Sequence, residues 1–230
     1  MARPAPTGAA ISNRLSIETD WTRASSDVEV AADFQAWRNP VAPTSIADHR
    51  LASTQRCLAT AKDAATVVAA LRDHGHGPWG APGDRPERAS PLPETPGIDN
   101  RGVTVCMHVP GVQATTASLV TMIPVDPAAP IRWWCALGSP CVSVYVPGFL
   151  DAGVPSPLSD DRTWFRFAAL RDRVTQHPAE LMPTRRRLAA AESELWDRAA
   201  ELDPHDATVR NSFTAHAFDP VEAALRDLGV

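Results

Sequence analysis

The chain has one lysine, Lys62, only four cysteines, and no uninterrupted apolar run long enough to span a bilayer. Each shortage excludes something. Without a run of about 20 apolar residues a membrane-spanning helix is not expected. The opening "MARPAPTGAA" has no apolar core of the kind a secretory signal needs, so the expected location is cytoplasmic. Four cysteines in 230 residues do not make a disulfide framework. Glycine-rich phosphate loops, serine elbows and spaced zinc motifs are missing too, so the motifs call for neither a cofactor nor a metal. The 22 basic and 27 acidic residues are intermixed and leave a formal charge of −5, which argues against nucleic acid as the main partner. Arginine carries nearly all the positive charge; with abundant alanine and proline, this reflects a GC-rich coding sequence.

What is present suffices for a folded domain. Hydrophobic residues make up 44% of the chain, enough to bury a core. One domain over residues 1–230 is expected, with a disordered start at 1–9. "AAISNRLSI" (9–17) alternates as a strand, placing Ile11, Asn13, Leu15 and Ile17 on one face. Asn13 then sits inside an apolar face, where an unpartnered amide would cost a few kcal/mol. It is either an oxyanion-binding donor or a structural hydrogen-bond bridge. Residues 18–44 read as irregular. "SIADHRLASTQRCLATA" from Ser45 and "DAATVVAALRDHG" with Asp63 as N-cap read as helices. Proline and glycine punctuate residues 75–100 too densely for a regular element.

A run of strands is expected next. "GVTVCMHV" places Val103, Val105, Met107 and Val109 on one face; "ATTASLVTMI", "IRWWCAL" and "CVSVYV" follow, the second of these four apolar enough near its end to be covered on both faces. Short connections make this an antiparallel meander. Helical spacing returns at Trp164, Phe167, Leu170 and Val174, then at Leu188, Leu195, Ala199 and Leu202; Asp219-Pro220 opens a last helix. The fold class is α+β: a sheet meander with helical layers.

The chemical candidates each carry a structural alternative. Cys106 and His108 share a strand face as a thiol–imidazole pair, or as a core cysteine beside a rim histidine. Cys135 and Cys141 flank "GSP" and could face each other across a hairpin, in a reduced state. His74 and His76 in "HGHG" have no acidic or thiol partner at ligand spacing, so they read as incidental loop histidines. Arg185–Arg187 read as a solvated helix end, and Trp133-Trp134 as one ring on each sheet face.

Several stretches together resemble the secernins and related dipeptidases with an N-terminal cysteine nucleophile. "AISNRLSI" resembles the family's "SISN-L-I" strand, and "VCMH" followed by "TTASLVTMIP" resembles its "ICM" and "TTASMVS-LP". The C-terminal helices also fit the family pattern. Two departures are "GSPCVS" where the family has "TPDPS", and Val146 where it has the basic residue of "KPF". A third is that no cysteine precedes Cys57, whereas family members open on a cysteine.

The resemblance implies part of a four-layer αββα sandwich of the N-terminal-nucleophile hydrolase type. It implies an amidohydrolase of the dipeptidase class, acting on a peptide or small amide, in which an N-terminal thiolate attacks with its own amine as base. Asn13 matches the oxyanion-holding asparagine, and Arg50 in "DHRLAS" falls near an arginine close to the nucleophile. The chain is therefore expected to be a C-terminal portion, inactive alone or active with a separately encoded N-terminal half. A non-catalytic binding or scaffold protein of the same ancestry is the alternative. A sheet face left uncovered would drive aggregation or a homo-oligomer. The resemblance assigns no role to the Thr115–Ser118 strand.

Overall fold

Aspartate caps start three of the helices. Asp63 accepts from Thr66 N at 2.8 Å while Thr66 Oγ1 accepts from Asp63 N at 3.2 Å, a reciprocal capping box that opens α2 (Ala64–Leu71). Asp160 caps α3 (Asp161–Gln176) by accepting from Arg162 N, and Asp206 caps α5 (Ala207–His216) by accepting from Thr208 N and Val209 N. The other helices are α1 (Thr44–Leu58), α4 (Leu181–Glu201) and α6 (Asp219–Asp227). This computed structural model describes residues 8–12, 17–29, 32–37, 44–59, 61–74, 103–109 and 113–230.

The strands form two small antiparallel sheets. β1 (His108–Val109) pairs with β2 (Gln113–Ala114). The larger sheet has the order β3 (Ala117–Met122), β4 (Arg132–Leu137), β5 (Val146–Phe149), with Val120 opposite Trp134 and Cys135 opposite Val146. The α+β class is as expected. The single meander is not: "ATTASLVTMI" breaks at Thr115–Thr116 and serves both sheets. The backbone there is used otherwise, since Gly138 N and the Trp164 indole both donate to the Thr116 carbonyl, at 2.8 Å each.

Other expectations are corrected. Residues 9–12 form no strand, and Ile11 is exposed; Asn13 and the rest of that stretch through Ser16 lie outside the described residues, as does all of 75–100. β3 is not covered on both faces, because Leu119, Met122 and Ile123 are all exposed. "CVSVYV" is not one strand: Pro140–Val142 form a 3-10 turn and pairing begins at Val146. Cys141 consequently does not face Cys135 across a hairpin. α4 begins at Leu181, so Arg185–Arg187 lie inside it, and Phe218, not Asp219, caps α6.

The core sits between the C-terminal helices and the sheet. Phe167, Leu170 and Val174 of α3 meet Leu188, Ala191 and Leu195 of α4, with Val146 and Phe149 of β5, at helical and strand spacings read from the sequence. A smaller cluster joins Val68 of α2 to Val120, Trp134 and Tyr145. Gly148 is obligatory, because a Cβ there would lie 2.2 Å from the Trp133 ring laid across β4–β5.

Ser143–Tyr145, between the 3-10 turn and β5, is held by side chains. Arg72, the residue ending α2, donates through Nε to Pro140 O at 2.9 Å and through a terminal nitrogen to Ser143 O at 3.2 Å. The same guanidinium forks onto both oxygens of Glu192 in α4, at 2.8 and 2.6 Å. Glu192 also accepts from Tyr145 N at 2.7 Å, Trp196 donates to Tyr145 O at 2.8 Å, and the Tyr145 hydroxyl bonds Ser118 Oγ at 2.7 Å. Burial opposes the Arg72 charge, but Glu192 outweighs it and raises the arginine's pKa.

Glu192→Ala should strand the Arg72 charge and the Tyr145 amide in the interior. The pair is part-buried, so removing one partner should destabilise by about 1–3 kcal/mol, the cost of leaving enclosed polar groups unsatisfied. That loss is read as a lowered midpoint in chemical denaturation; an unchanged midpoint would show the knot to be dispensable.

Candidate functional site

The strongest concentration of reactive side chains gathers three distant segments. Cys106 and His108 come from the segment leading into β1, His74 follows the end of α2, and Cys141 sits in the 3-10 turn. Their ligand-capable atoms all lie within 4.8 Å of one another. His108 Nε2 is 3.5 Å from Cys106 Sγ and 3.1 Å from Cys141 Sγ. The His74 and His108 rings stand edge-on, 5.1 Å apart at 82°. All four are buried: Cys106 is 0% exposed, Cys141 3%, His108 6% and His74 7%.

Hydrogen bonds to the backbone place each member. Cys106 N donates to Asp73 O at 3.1 Å, which joins the Cys106 segment to the residue before His74. Thr104 Oγ1 donates to Cys106 O at 2.7 Å, and Met107 exchanges bonds with Thr115, its amide reaching Thr115 Oγ1 at 2.9 Å. Ser139 Oγ then donates to Thr115 O at 2.9 Å, so the turn bearing Cys141 is tied to the strand beside Cys106. Arg72, through Pro140 O and Ser143 O, holds that turn from its other side.

Arg50 belongs to this arrangement. Its Nε donates to Thr104 O at 3.0 Å and a terminal nitrogen reaches Val105 O at 3.5 Å. Burial lowers its pKa, and the nearby Cys106 opposes that. The structure thus places Arg50 against the backbone that carries Cys106, where it orients the segment. Asn13, the other residue assigned a catalytic role from the sequence, lies outside the described residues, so the two are not brought together here. His76 is outside them too.

The two central thiols share their first proton unequally. Burial would raise the Cys106 pKa, yet hydrogen bonds from Cys141, His108 and His74 hold it well below the ordinary thiol range. Cys141 moves the opposite way: bonding to Cys106, burial and the charge on Cys106 push it well above. One proton leaves this pair readily and the second with difficulty. Cys57 and Cys135 are raised, chiefly by burial, and stand apart from the cluster. Two clefts flank it. One, about 210 Å³, is lined by His108, Gln113, Thr116 and Asp172; the other, about 330 Å³, by Cys141, Arg72, Arg185 and Arg186.

No family model, curated protein or solved structure matches this chain. The site therefore has to be read from its own chemistry. Two soft thiols and two imidazoles, converging and sealed from solvent, form a donor set for a borderline-soft cation or a hydrogen-bonded thiol–imidazole array.

The sequence reads Cys106 and His108 as sharing one strand face; the structure corrects this, because only His108–Val109 is a strand and Cys106 lies in the bend before it. The pairing with Cys141, 33 residues beyond His108, was not visible in the sequence, nor was that with His74 across the Pro/Gly-rich stretch. The usable signal was Cys-x-His followed by a cysteine in a "GSPC" turn.

If Arg50 positions the Cys106 segment, Arg50→Met should free it to open. Thiol labelling of the folded chain by an aromatic disulfide reagent should then become about tenfold faster at Cys106, as a loss of about 1.4 kcal/mol from local closure would give. Unchanged labelling kinetics, with Cys57 as internal reference, would remove Arg50 from this role.

Proposed function

We propose that the chain supplies the sheet-and-helix body of a secernin-like amidohydrolase of the dipeptidase class, acting on peptide or small amide substrates with a nucleophile contributed by a separate N-terminal half. The observation that carries this reading is the open apolar face and edge around β3. Leu119 is 63% exposed, Ile123 75%, and Val125 fully so. A sheet in a sandwich buries such a face against a second sheet about 10 Å away. The strand concerned begins at Ala117, within "TTAS", the stretch whose order in the chain resembles the family.

The chain's own thiols support the same division of labour. All four cysteines fall among the described residues. Cys57 and Cys135 have raised pKa values, so neither is an activated thiolate at neutral pH. Cys106 is activated but fully buried, and its α-nitrogen lies in a peptide bond, so it cannot serve as its own base as an N-terminal cysteine does. In this reading Asn13 holds the oxyanion and Arg50 supports the wall of the site. The location is cytoplasmic; no described helix is long and apolar enough to cross a membrane.

A non-catalytic scaffold of the same ancestry is the second reading, favoured by the sealing of the His74–Cys106–His108–Cys141 cluster away from solvent. Asn13→Leu separates the two. The enzyme reading expects loss of any reconstituted activity, the scaffold reading unchanged or improved stability.

The purified chain alone, incubated with a panel of unmodified dipeptides, should release no amine above the protein-free control. Release that iodoacetamide abolishes would overturn the proposal. In sedimentation velocity the chain should self-associate with rising concentration, and Leu119→Lys should weaken that association. A monodisperse monomer at every concentration would remove the open face as support.

A further inference from the structure

We infer that His74, Cys106, His108 and Cys141 form a closed, four-coordinate zinc site that clamps the α2 end, the β1 segment and the 3-10 turn together. The chemistry of the donors selects the metal. Two thiolates and two neutral imidazoles are the Cys₂His₂ set, which favours zinc over hard cations such as magnesium and calcium that want oxygen. All four residues are buried, and the cluster offers a tetrahedral ion its full complement without water. A site with four protein ligands and no open position is structural rather than catalytic.

The distances lie close to those of a metal centre. Zinc–sulfur bonds of about 2.3 Å and zinc–nitrogen bonds of about 2.0–2.1 Å, at tetrahedral angles, separate sulfur from nitrogen by about 3.5–3.6 Å and sulfur from sulfur by about 3.8 Å. His108 Nε2 lies 3.5 and 3.1 Å from the two sulfurs, and no pair in the set exceeds 4.8 Å. The widest pair therefore needs to close by at most about 1.5 Å, a shift that rotation about χ1 and χ2 supplies. The near-perpendicular imidazoles suit two rings approaching one ion from different tetrahedral directions.

Charge balance is met at such a centre, since two buried thiols stand against one divalent cation. Both thiols ionise, two protons leave to solvent, and the buried unit of one Zn²⁺ and two thiolates is neutral. Around it, Arg50, Thr104, Thr115, Ser139 and Arg72 bond the backbone of the ligand-bearing segments, which is how an outer shell fixes ligand directions.

The test uses the whole chain, expressed with zinc added, passed through gel filtration and analysed by plasma mass spectrometry. One zinc per chain is expected, with x-ray absorption showing two sulfur and two nitrogen scatterers. Replacing zinc with cobalt(II) should give intense tetrahedral ligand-field bands with sulfur-to-metal charge transfer. Cys106→Ser and Cys141→Ser should each lose those bands, while Cys57→Ser and Cys135→Ser keep them. Should the first pair fail to fold, the wild-type absorption spectrum decides alone. No zinc after reconstitution, a metal shell lacking sulfur, or an intact mass two hydrogens lower with a Cys106–Cys141 disulfide would overturn the assignment.

Discussion

The guanidinium of Arg72 is the point on which the rest of the structure depends. Standing at the C-terminus of α2, it forks onto Glu192 of α4 and also caps the carbonyls of Pro140 and Ser143. Arginine is suited to this because its planar fork offers several donors in fixed directions, which a lysine cannot match. By joining helix to helix and helix to turn, it sets where two other residues stand. His74 follows it by two positions, and Cys141 lies in the turn it holds. An ion pair so enclosed adds little net stability by itself, but removing one partner leaves a charge with nowhere to go.

Around that knot the fold divides into parts of different character. The α3, α4 and α6 helices and β5 enclose an apolar core with Leu170, Leu195, Val221 and Leu225 at 0% exposure, rimmed by the Arg166–Glu222 and Arg187–Asp227 ion pairs. The α1–α2 pair and the segment 103–109 have less apolar surface to offer. Val103, Met107 and Val109 form a small cluster of their own, and the segment is also tied down by hydrogen bonds donated by Arg50, accepted by Asp73 O and exchanged with Thr115. A cross-linking ion at His74, Cys106, His108 and Cys141 would join this segment to the α2 end and the 3-10 turn.

The β3 strand shows a second consequence of the same economy of apolar surface. One side of the sheet is closed by Val68, Trp134 and Tyr145, while Leu119 and the residues beyond Met122 remain open. Edge strands with exposed apolar side chains invite pairing or packing by another sheet. The open strand and the sealed thiols point toward one division of roles: surface for assembly on β3, rigidity beneath it.

Local chemistry in the sequence determined the α+β class, the Asp63 cap, and the buried stripes of α3 and α4, because 3.6-residue periodicity and capping need only near neighbours. The Cys106–His108 proximity follows from their two-residue separation alone, since the expected strand is confined to His108–Val109 and Cys106 lies in a bend. What only the tertiary structure decided was long-range: the break of "ATTASLVTMI" at Thr116, the displacement of Cys141 from a hairpin into a turn, and the arrival of His74 beside both. Those outcomes follow from which carbonyls accept from Gly138, Trp164 and Arg72, and from which helix Glu192 faces. Such bonds link residues tens of positions apart, and no local pattern records them. The sequence held the four ligands; three-dimensional closure made them a site.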